Sequence, residues 1–66
     1  MDQIKIGKFI ASMRKEQGLS QKQLAERIDV TDKTISKWET GNRLPDASIL
    51  LRLSQELHID VNELLA

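Results

Sequence analysis

The side chains that could do chemistry in this 66-residue chain are concentrated around Lys33 and Lys37. These two lysines lie four residues apart, so on a helix they share one face, and Thr34 and Ser36 complete a polar surface beside them. Ammonium and hydroxyl groups arranged in this way can hydrogen-bond to the exposed acceptors of an extended polar partner. A solvated helix face with two like charges gives the same pattern at little cost in stability, so both interpretations stay open.

Catalytic and metal-binding constellations are missing from the sequence. The chain has one histidine and no cysteine, which leaves no Cys–His nucleophile pair, no disulfide framework and no Cys- or His-rich metal site. Asp32 and Glu39 lie seven residues apart on a predicted helix, but helix-end electrostatics and an ion pair explain them better than paired-carboxylate catalysis. We therefore expect a protein that is not an enzyme and that uses no metal or other cofactor.

Length and hydropathy indicate one small domain. Sixty-six residues accommodate a single domain over residues 1–66 with a marginal core, and this domain is either the whole protein or the N-terminal part of a longer one. No apolar run approaches the ~18 residues that cross a bilayer, and the N-terminus lacks the apolar stretch of a secretory signal. We expect no membrane association of this chain and a cytoplasmic location.

The charges are unevenly distributed although the net charge is zero. Up to Arg43 the chain has nine basic and six acidic residues, and from Leu44 onward it has one basic and four acidic residues. A domain with this asymmetry can present a basic face to a partner while its average charge stays neutral. A well-mixed solvated surface is the alternative.

Helix-start and helix-stop residues divide the chain into five short helices. Gly18 and Gly41 supply the left-handed residue that ends a helix. Four of the helices begin after a side chain that caps the first turn, at Ser20, Thr31, Asp46 and Asp60. The predicted spans are 4–17, 20–29, 32–39, 46–57 and a short helix from 60 onward. The apolar residues of the last helix, which either close the core or form a dimer contact, are Val61, Leu64 and Leu65.

The segment from Ser20 to Glu39 matches the helix-turn-helix plan, in which two short helices are joined by a tight turn. Leu24, Ala25 and Ile28 are predicted to pack against Ile35 and Trp38, which fixes the angle between the two helices. The polar face of the second helix is then left free. Short helix pairs also occur in structural bundles, so the spacing alone leaves both interpretations open. Trp38 is predicted to lie in the core, because base-stacking sites usually contain several aromatic residues.

Two stretches of sequence resemble a known family. The residues are LSQKQLAERI over 19–28 and VTDKTISKWETG over 30–41, and they are similar to the Cro/phage-repressor type of helix-turn-helix, also called the XRE family. Residues 6–18 resemble the family's first helix and residues 45–65 its last two helices. The resemblance implies an all-α, compact five-helix bundle of the lambda-repressor type. It also implies a cytoplasmic, nucleoid-associated transcriptional regulator of bacterial or phage type, a repressor that acts as a homodimer and binds a palindromic operator in double-stranded DNA.

The resemblance also implies roles for individual residues. The family's base-reading positions are occupied by Asp32, Lys33, Thr34 and Lys37. Positions that meet the sugar–phosphate backbone are occupied by Gln21, Thr31, Ser36, Thr40, Asn42 and Arg43. Arg14 and Glu39 match a family pair that joins the first helix to the end of the third, so we expect a partly buried structural ion pair.

Asp32 departs from the family pattern, because many relatives carry a neutral or basic residue at this position. A carboxylate there either stabilises the positive end of the helix or restricts the acceptable base pairs. The neutral net charge and Asp32 keep a second function open, in which the same fold serves as a protein-interaction module such as an antitoxin or assembly adaptor. Asp29 and His58 replace the usual glycine or asparagine, and we expect both to end helices.

Overall fold

Four helices make up the part of the chain that the computed structural model describes, which is residues 2–60 and 62–63. They are α1 (Gln3–Glu16), α2 (Gln21–Arg27), α3 (Asp32–Glu39) and α4 (Ala47–Glu56). Because these residues contain no strand, the all-α prediction is confirmed, but the described helices number four and not five. The predicted fifth helix falls mainly on Val61 and residues 64–66, which lie outside the described residues.

Side-chain caps begin α2, α3 and α4 at the predicted residues, whereas the cap of α1, Asp2, was not predicted. The Ser20 hydroxyl accepts a hydrogen bond from the Gln23 amide at 3.0 Å, and the Gln23 side chain accepts one from the Ser20 amide at 2.8 Å. The capping box of α2 is therefore complete. Thr31 caps α3 by accepting from the Thr34 amide at 3.2 Å, and Asp46 is the N-cap of α4.

Left-handed residues end the helices. Gly18 (φ 70°) follows α1 and Gly41 (φ 78°) follows α3, while Asp29 (φ 58°) and His58 (φ 55°) take the same conformation after α2 and α4. Aspartate tolerates this region better than most residues that carry a Cβ atom. Since the left-handed region cannot continue an α-helix, α2 ends at Arg27, two residues earlier than predicted.

The core lies between all four helices and contains the predicted inward residues of α2 and α3. Its buried apolar members are Ile6, Ile10, Leu19, Leu24, Ala25, Ile28, Ile35, Trp38, Leu50, Leu53 and Leu57. Met13, Val30 and Ile49 are partly buried against this cluster. Trp38 is only 2% exposed, so the prediction that it belongs to the core and not to a stacking surface is confirmed.

A glycine in the middle of α1 allows the first helix to approach the third. A Cβ atom on Gly7 would overlap the carbonyl oxygen of Trp38 and would lie 2.9 Å from that of Glu39. Backbone carbonyl groups at a helix end cannot move aside as a flexible side chain can. Gly7 is therefore required for the position of α1 on the C-terminal end of α3, and the sequence analysis did not identify it.

Candidate nucleic-acid interface

The outer face of α3 carries the two lysines. Ile35 and Trp38 point into the core, and Lys33 and Lys37 lie on the opposite side of the same helix, where both are exposed. Within residues 2–60 and 62–63, neither lysine forms a salt bridge or a side-chain hydrogen bond. Both ammonium groups are thus available to hydrogen-bond acceptors outside the domain.

The N-terminal turn of α3 combines a hydroxyl pair with an acidic residue. The hydroxyls of Thr31 and Thr34 lie 3.0 Å apart and form a hydrogen bond, while the Thr34 amide donates to Thr31. Asp32 is exposed in the first turn, where its charge complements the positive end of the helix dipole. The geometry is compatible with both interpretations of Asp32.

The C-terminal turn of α3 is closed by side-chain hydrogen bonds. The Thr40 hydroxyl donates to the Ser36 carbonyl at 2.9 Å, and the Asn42 amide donates to the Thr40 hydroxyl at 2.8 Å. Thr40 and Asn42 thus order the chain that leads to Arg43, whose side chain is exposed. These residues therefore have a local structural function whether or not they also contact a partner.

A cleft of 340 Å³ lies between α3 and the loop before α4. It brings together Thr34, which occupies a predicted base-reading position, and Arg43, which occupies a predicted backbone-contact position. Leu44 and the buried Pro45 form its floor with Trp38. The two kinds of predicted contact residue therefore share one continuous surface.

The carboxylate of Glu39 holds three segments together. Oε2 accepts a hydrogen bond from Arg14 Nε at 2.6 Å, and Oε1 accepts from Arg14 Nη2 at 3.0 Å and from Gln21 Nε2 at 2.9 Å. Arg14 also donates through Nη1 to the carbonyl oxygen of Leu19 at 2.7 Å. This cluster links α1, the α1–α2 connection and the start of α2 to the end of α3. We call it the Glu39 cluster.

Burial makes the Glu39 cluster important for stability. The side chains of Arg14 and Glu39 are 10% and 7% exposed, so water cannot fully replace a lost partner. The hydrogen bond to Glu39 raises the pKa of Arg14, and the negative charge of Glu39 adds to this effect against the opposing desolvation. The amide of Gln21 is engaged with Glu39, so its function in the structure is to brace α3.

A second clamp, which the sequence analysis did not identify, fixes the turn between α2 and α3. Arg52 of α4 donates to the carbonyl oxygens of Arg27 at 3.0 Å and Ile28 at 3.3 Å, and it pairs with Asp29 at 3.3 Å. These donors satisfy carbonyl groups that the end of α2 leaves without helical partners. No local sequence signal connects Arg52 with a turn more than twenty residues earlier in the chain.

The arrangement of α2, a tight turn and α3 defines the class of protein. A family model described as "Helix-turn-helix" matches residues 10–64, and the chain belongs to this helix-turn-helix family. The prediction of a Cro/phage-repressor type is confirmed by the solved structures that the fold resembles.

Three relatives make the likeness specific. The restriction-modification controller protein C.AhdI from Aeromonas hydrophila has 30% sequence identity and a TM-score of 0.88, over 96% of this chain and 91% of that one. The P22 c2 repressor protein, crystallised in complex with a synthetic operator, has 30% identity and a TM-score of 0.86, over 89% of each chain. The transcriptional regulator ImmR from Bacillus subtilis is 32% identical over 60 residues, which are 91% of this chain and 47% of ImmR. The chain spans less than half the length of the curated relatives that it matches.

A three-residue metal-ligand group and a membrane-spanning helix are both absent from the part of the chain that the structure describes. Among the residues it describes, no three His, Cys, Asp or Glu side chains are grouped so as to hold a metal ion. In the same part of the chain, no helix is both long enough and apolar enough to cross a membrane.

Proposed function

We propose that this domain regulates transcription as a repressor by placing α3 in the major groove of a specific operator. The observation that carries the proposal is the outer face of α3, where Lys33 and Lys37 are exposed and have no salt-bridge partner within residues 2–60 and 62–63, opposite the buried Ile35 and Trp38. A helix of this size fits the major groove, where lysine can donate to the O6 and N7 atoms of guanine. The domain acts by binding alone, without a catalytic step or cofactor.

The remaining predicted contacts are of two kinds. Some side chains contact bases, and others, which we call anchors, contact the sugar–phosphate backbone. Thr34 can touch a thymine methyl group or hydrogen-bond to a base, and Asp32 can accept from cytosine N4. Arg43 contacts the sugar–phosphate chain from the far side of the cleft. The other anchors, which lie at the ends of α2 and α3, are Gln21, Thr31, Ser36, Thr40 and Asn42. Of these, Gln21 acts mainly by holding Glu39 and so fixing the orientation of α3.

The domain binds as a two-fold dimer on a palindromic operator in the cytoplasm. A single small domain buries little surface on DNA, so useful affinity and specificity need two half-sites, with centres about 34 Å apart. The P22 c2 repressor, whose structure includes a synthetic operator, supports operator binding by this domain through its similarity to the chain.

Selection of duplexes from a random pool, followed by salt titration of the best duplex, tests the proposal. We expect a motif with two-fold symmetry and an affinity that falls steeply as salt increases. Lys37→Ala should cost about 1–3 kcal/mol on the preferred duplex and should flatten the preference at one base pair. Arg43→Ala should instead weaken binding to all duplexes evenly and lower the salt slope by about one.

The outcomes distinguish a base contact from a contact to the DNA backbone, and they distinguish DNA binding from protein binding. An equal loss on every sequence would make Lys37 a phosphate contact, and an unchanged salt slope would remove Arg43 from the interface. If no motif is recovered at low ionic strength, the domain is not a DNA reader. A tight complex with a protein partner would then support the interaction-module alternative.

A further inference from the structure

The exposed side of α1 carries a row of lysines that the proposed base-reading surface does not use. Lys5, Lys8 and Lys15 are exposed and share this side with Ser12, because their spacing of three, four and three residues follows the helical repeat. Among residues 2–60 and 62–63 none of the three lysines forms a salt bridge. We call this row the α1 stripe.

The start of α1 has two locally unfavourable features, which are a cation close to the helix N-terminus and an exposed apolar side chain. Its first turn contains no acidic residue and has Lys5 near the positive end of the helix dipole, which is an unfavourable place for a cation. Beside it, Ile4 is 58% exposed, one of two large apolar side chains exposed to this degree in the described part of the chain. Departures from local rules occur preferentially at functional sites.

The N-terminal end of the α1 stripe borders the candidate DNA interface. Leu44 lines the cleft that contains Thr34 and Arg43, and it also lines a second, open cleft with Gly41 and Ile4. The two clefts therefore border each other at Leu44, and together they connect Thr34 and Arg43 with Ile4 in the first turn of α1. Lys8, one helical turn after Ile4, shares its side of α1, and Lys5 lies next to Lys8 on the α1 stripe, about 4.5 Å away along the helix axis.

Asp2 is a carboxylate that lines this edge, and its side chain is engaged by the backbone. Its Oδ1 atom accepts hydrogen bonds from the amides of Ile4 at 3.0 Å and Lys5 at 3.2 Å. The charge of Asp2 is thereby used to cap α1, and the lysine ammonium groups, at the ends of long flexible stems, can extend beyond it.

We propose that Lys5 and Lys8 form a second contact with DNA, in which their ammonium groups bind phosphates of the duplex that flanks the base pairs read by α3. Ile4 packs against the sugar edge of the same strand. The contact adds affinity without base preference, because phosphates carry no sequence information. The inference rests on the proposed function, since it requires α3 to lie on the duplex. Lys15, about 10 Å beyond Lys8 along the axis, is outside the contact.

Salt titration of three matched variants tests the contact. The duplex is the best one from the random pool, extended by several base pairs on both sides. On this duplex, Lys5→Gln and Lys8→Gln should each reduce the magnitude of the negative slope of log K against log salt by about 0.9. The corresponding affinity loss is about fivefold at 0.15 M salt. Lys15→Gln, which removes the same charge from the same stripe, should leave the slope unchanged. On a duplex trimmed to the base pairs under α3, all four proteins should bind alike.

Each result leads to a distinct conclusion. If the wild-type domain shows a salt-sensitive complex and Lys5→Gln and Lys8→Gln keep its slope, the flanking contact is refuted while the proposed function stands. If all three variants reduce the magnitude of the slope equally, the lysines of the α1 stripe act only through long-range electrostatic attraction to the DNA, and the specific contact is refuted. If the wild-type domain forms no salt-sensitive complex, the proposed function fails, and this inference fails with it. Because all three lysines are exposed, thermal melting should show the same stability for every variant.

Discussion

Replacing Arg14 with methionine would remove the positive charge from the Glu39 cluster and keep much of the apolar volume of the side chain. The change deletes both hydrogen bonds from Arg14 to the Glu39 carboxylate and the one to the Leu19 carbonyl oxygen. Gln21 would be the one partner of this carboxylate that the structure retains. Since the Glu39 side chain is 7% exposed, its charge would be left buried with one neutral donor.

The cost of this change is large relative to the stability of so small a domain. Leaving one member of a buried ion pair without its partner destabilises proteins by about 3–5 kcal/mol. At roughly 0.05–0.15 kcal/mol per residue, a 66-residue domain has a free energy of unfolding of about 3–10 kcal/mol. Arg14→Met should therefore remove a large share of the stability, and the weakest outcome still compatible with the structure is a loss of about 2 kcal/mol.

A double variant separates the cost of an orphaned charge from the net value of the pair. Arg14→Met combined with Glu39→Leu removes both charges, and replacing a buried pair by apolar residues is often neutral or stabilising. We expect the double variant to be more stable than either single variant and to lie within about 2 kcal/mol of the wild type. The coupling energy between the two positions should be large, because they share one hydrogen-bond network.

Urea denaturation followed by tryptophan fluorescence would measure these differences, since Trp38 is the only tryptophan and is buried in the core. The reasoning would be refuted by a loss below about 2 kcal/mol for Arg14→Met, or by a double variant less stable than both single variants. DNA binding gives a second readout. In the double variant Gln21 loses its acceptor, so affinity for the preferred duplex should fall although stability is largely restored.

Three further changes test the packing and the helix caps. Gly7→Ala should destabilise the domain by about 2 kcal/mol in thermal melting, because the added methyl group overlaps the Trp38 carbonyl oxygen; a gain in stability, as helix propensity alone predicts, would contradict the close packing of α1 on α3. Thr31→Ala should cost about 1 kcal/mol in the same assay, and Thr31→Ser, which keeps the cap, should cost much less. Hydrogen bonds from the Ile49 amide and a neighbouring hydroxyl lower the pKa of Asp46 below 3.8, so its contribution to stability is present above that pH and is lost as the pH falls through the lowered value. Asp46→Asn keeps a capping side chain that does not titrate, so its melting temperature should fall less than that of the wild type between pH 5 and strongly acidic pH; equal falls would show that Asp46 does not contribute.

Sequence patterns predicted the features of this fold that depend on neighbours a few residues away. The bounds of α3 agree with the prediction because Thr31 caps the first turn and Gly41 ends the helix through its own backbone conformation. The predicted α2 extends two residues too far. Asp29 takes the left-handed conformation after the C-cap Ile28, so it lies outside the helix, which ends at Arg27. Local signals thus fix where helices begin, and they fix the ends less well.

Contacts between distant segments could not be obtained from the same patterns. Gly7 resembles an unfavourable residue in a helix until the carbonyl groups at the end of α3 are seen beside it. Arg52 resembles an ordinary surface charge until its contacts with the carbonyl groups of Arg27 and Ile28 are known. The ion pair between Arg14 and Glu39 was expected only from the family resemblance, since no spacing rule connects residues 25 positions apart. The residues proposed to touch DNA stay predictions.

The neutral net charge of the chain conceals how differently its acidic and basic residues are used. Five acidic side chains of the described residues are engaged in caps, an ion pair or the Glu39 cluster, and these are Asp2, Asp29, Glu39, Asp46 and Asp60. The lysines of α1 and α3 have no such partners among the described residues. Asp29 and Glu39 are paired with arginines, whereas Lys33 and Lys37 face solvent without an acidic partner among the described residues, so the outer face of α3 can be locally positive although the net charge is zero. A net charge of zero is therefore compatible with strong attraction to a polyanion, and binding should depend on which lysines are free more than on the total charge.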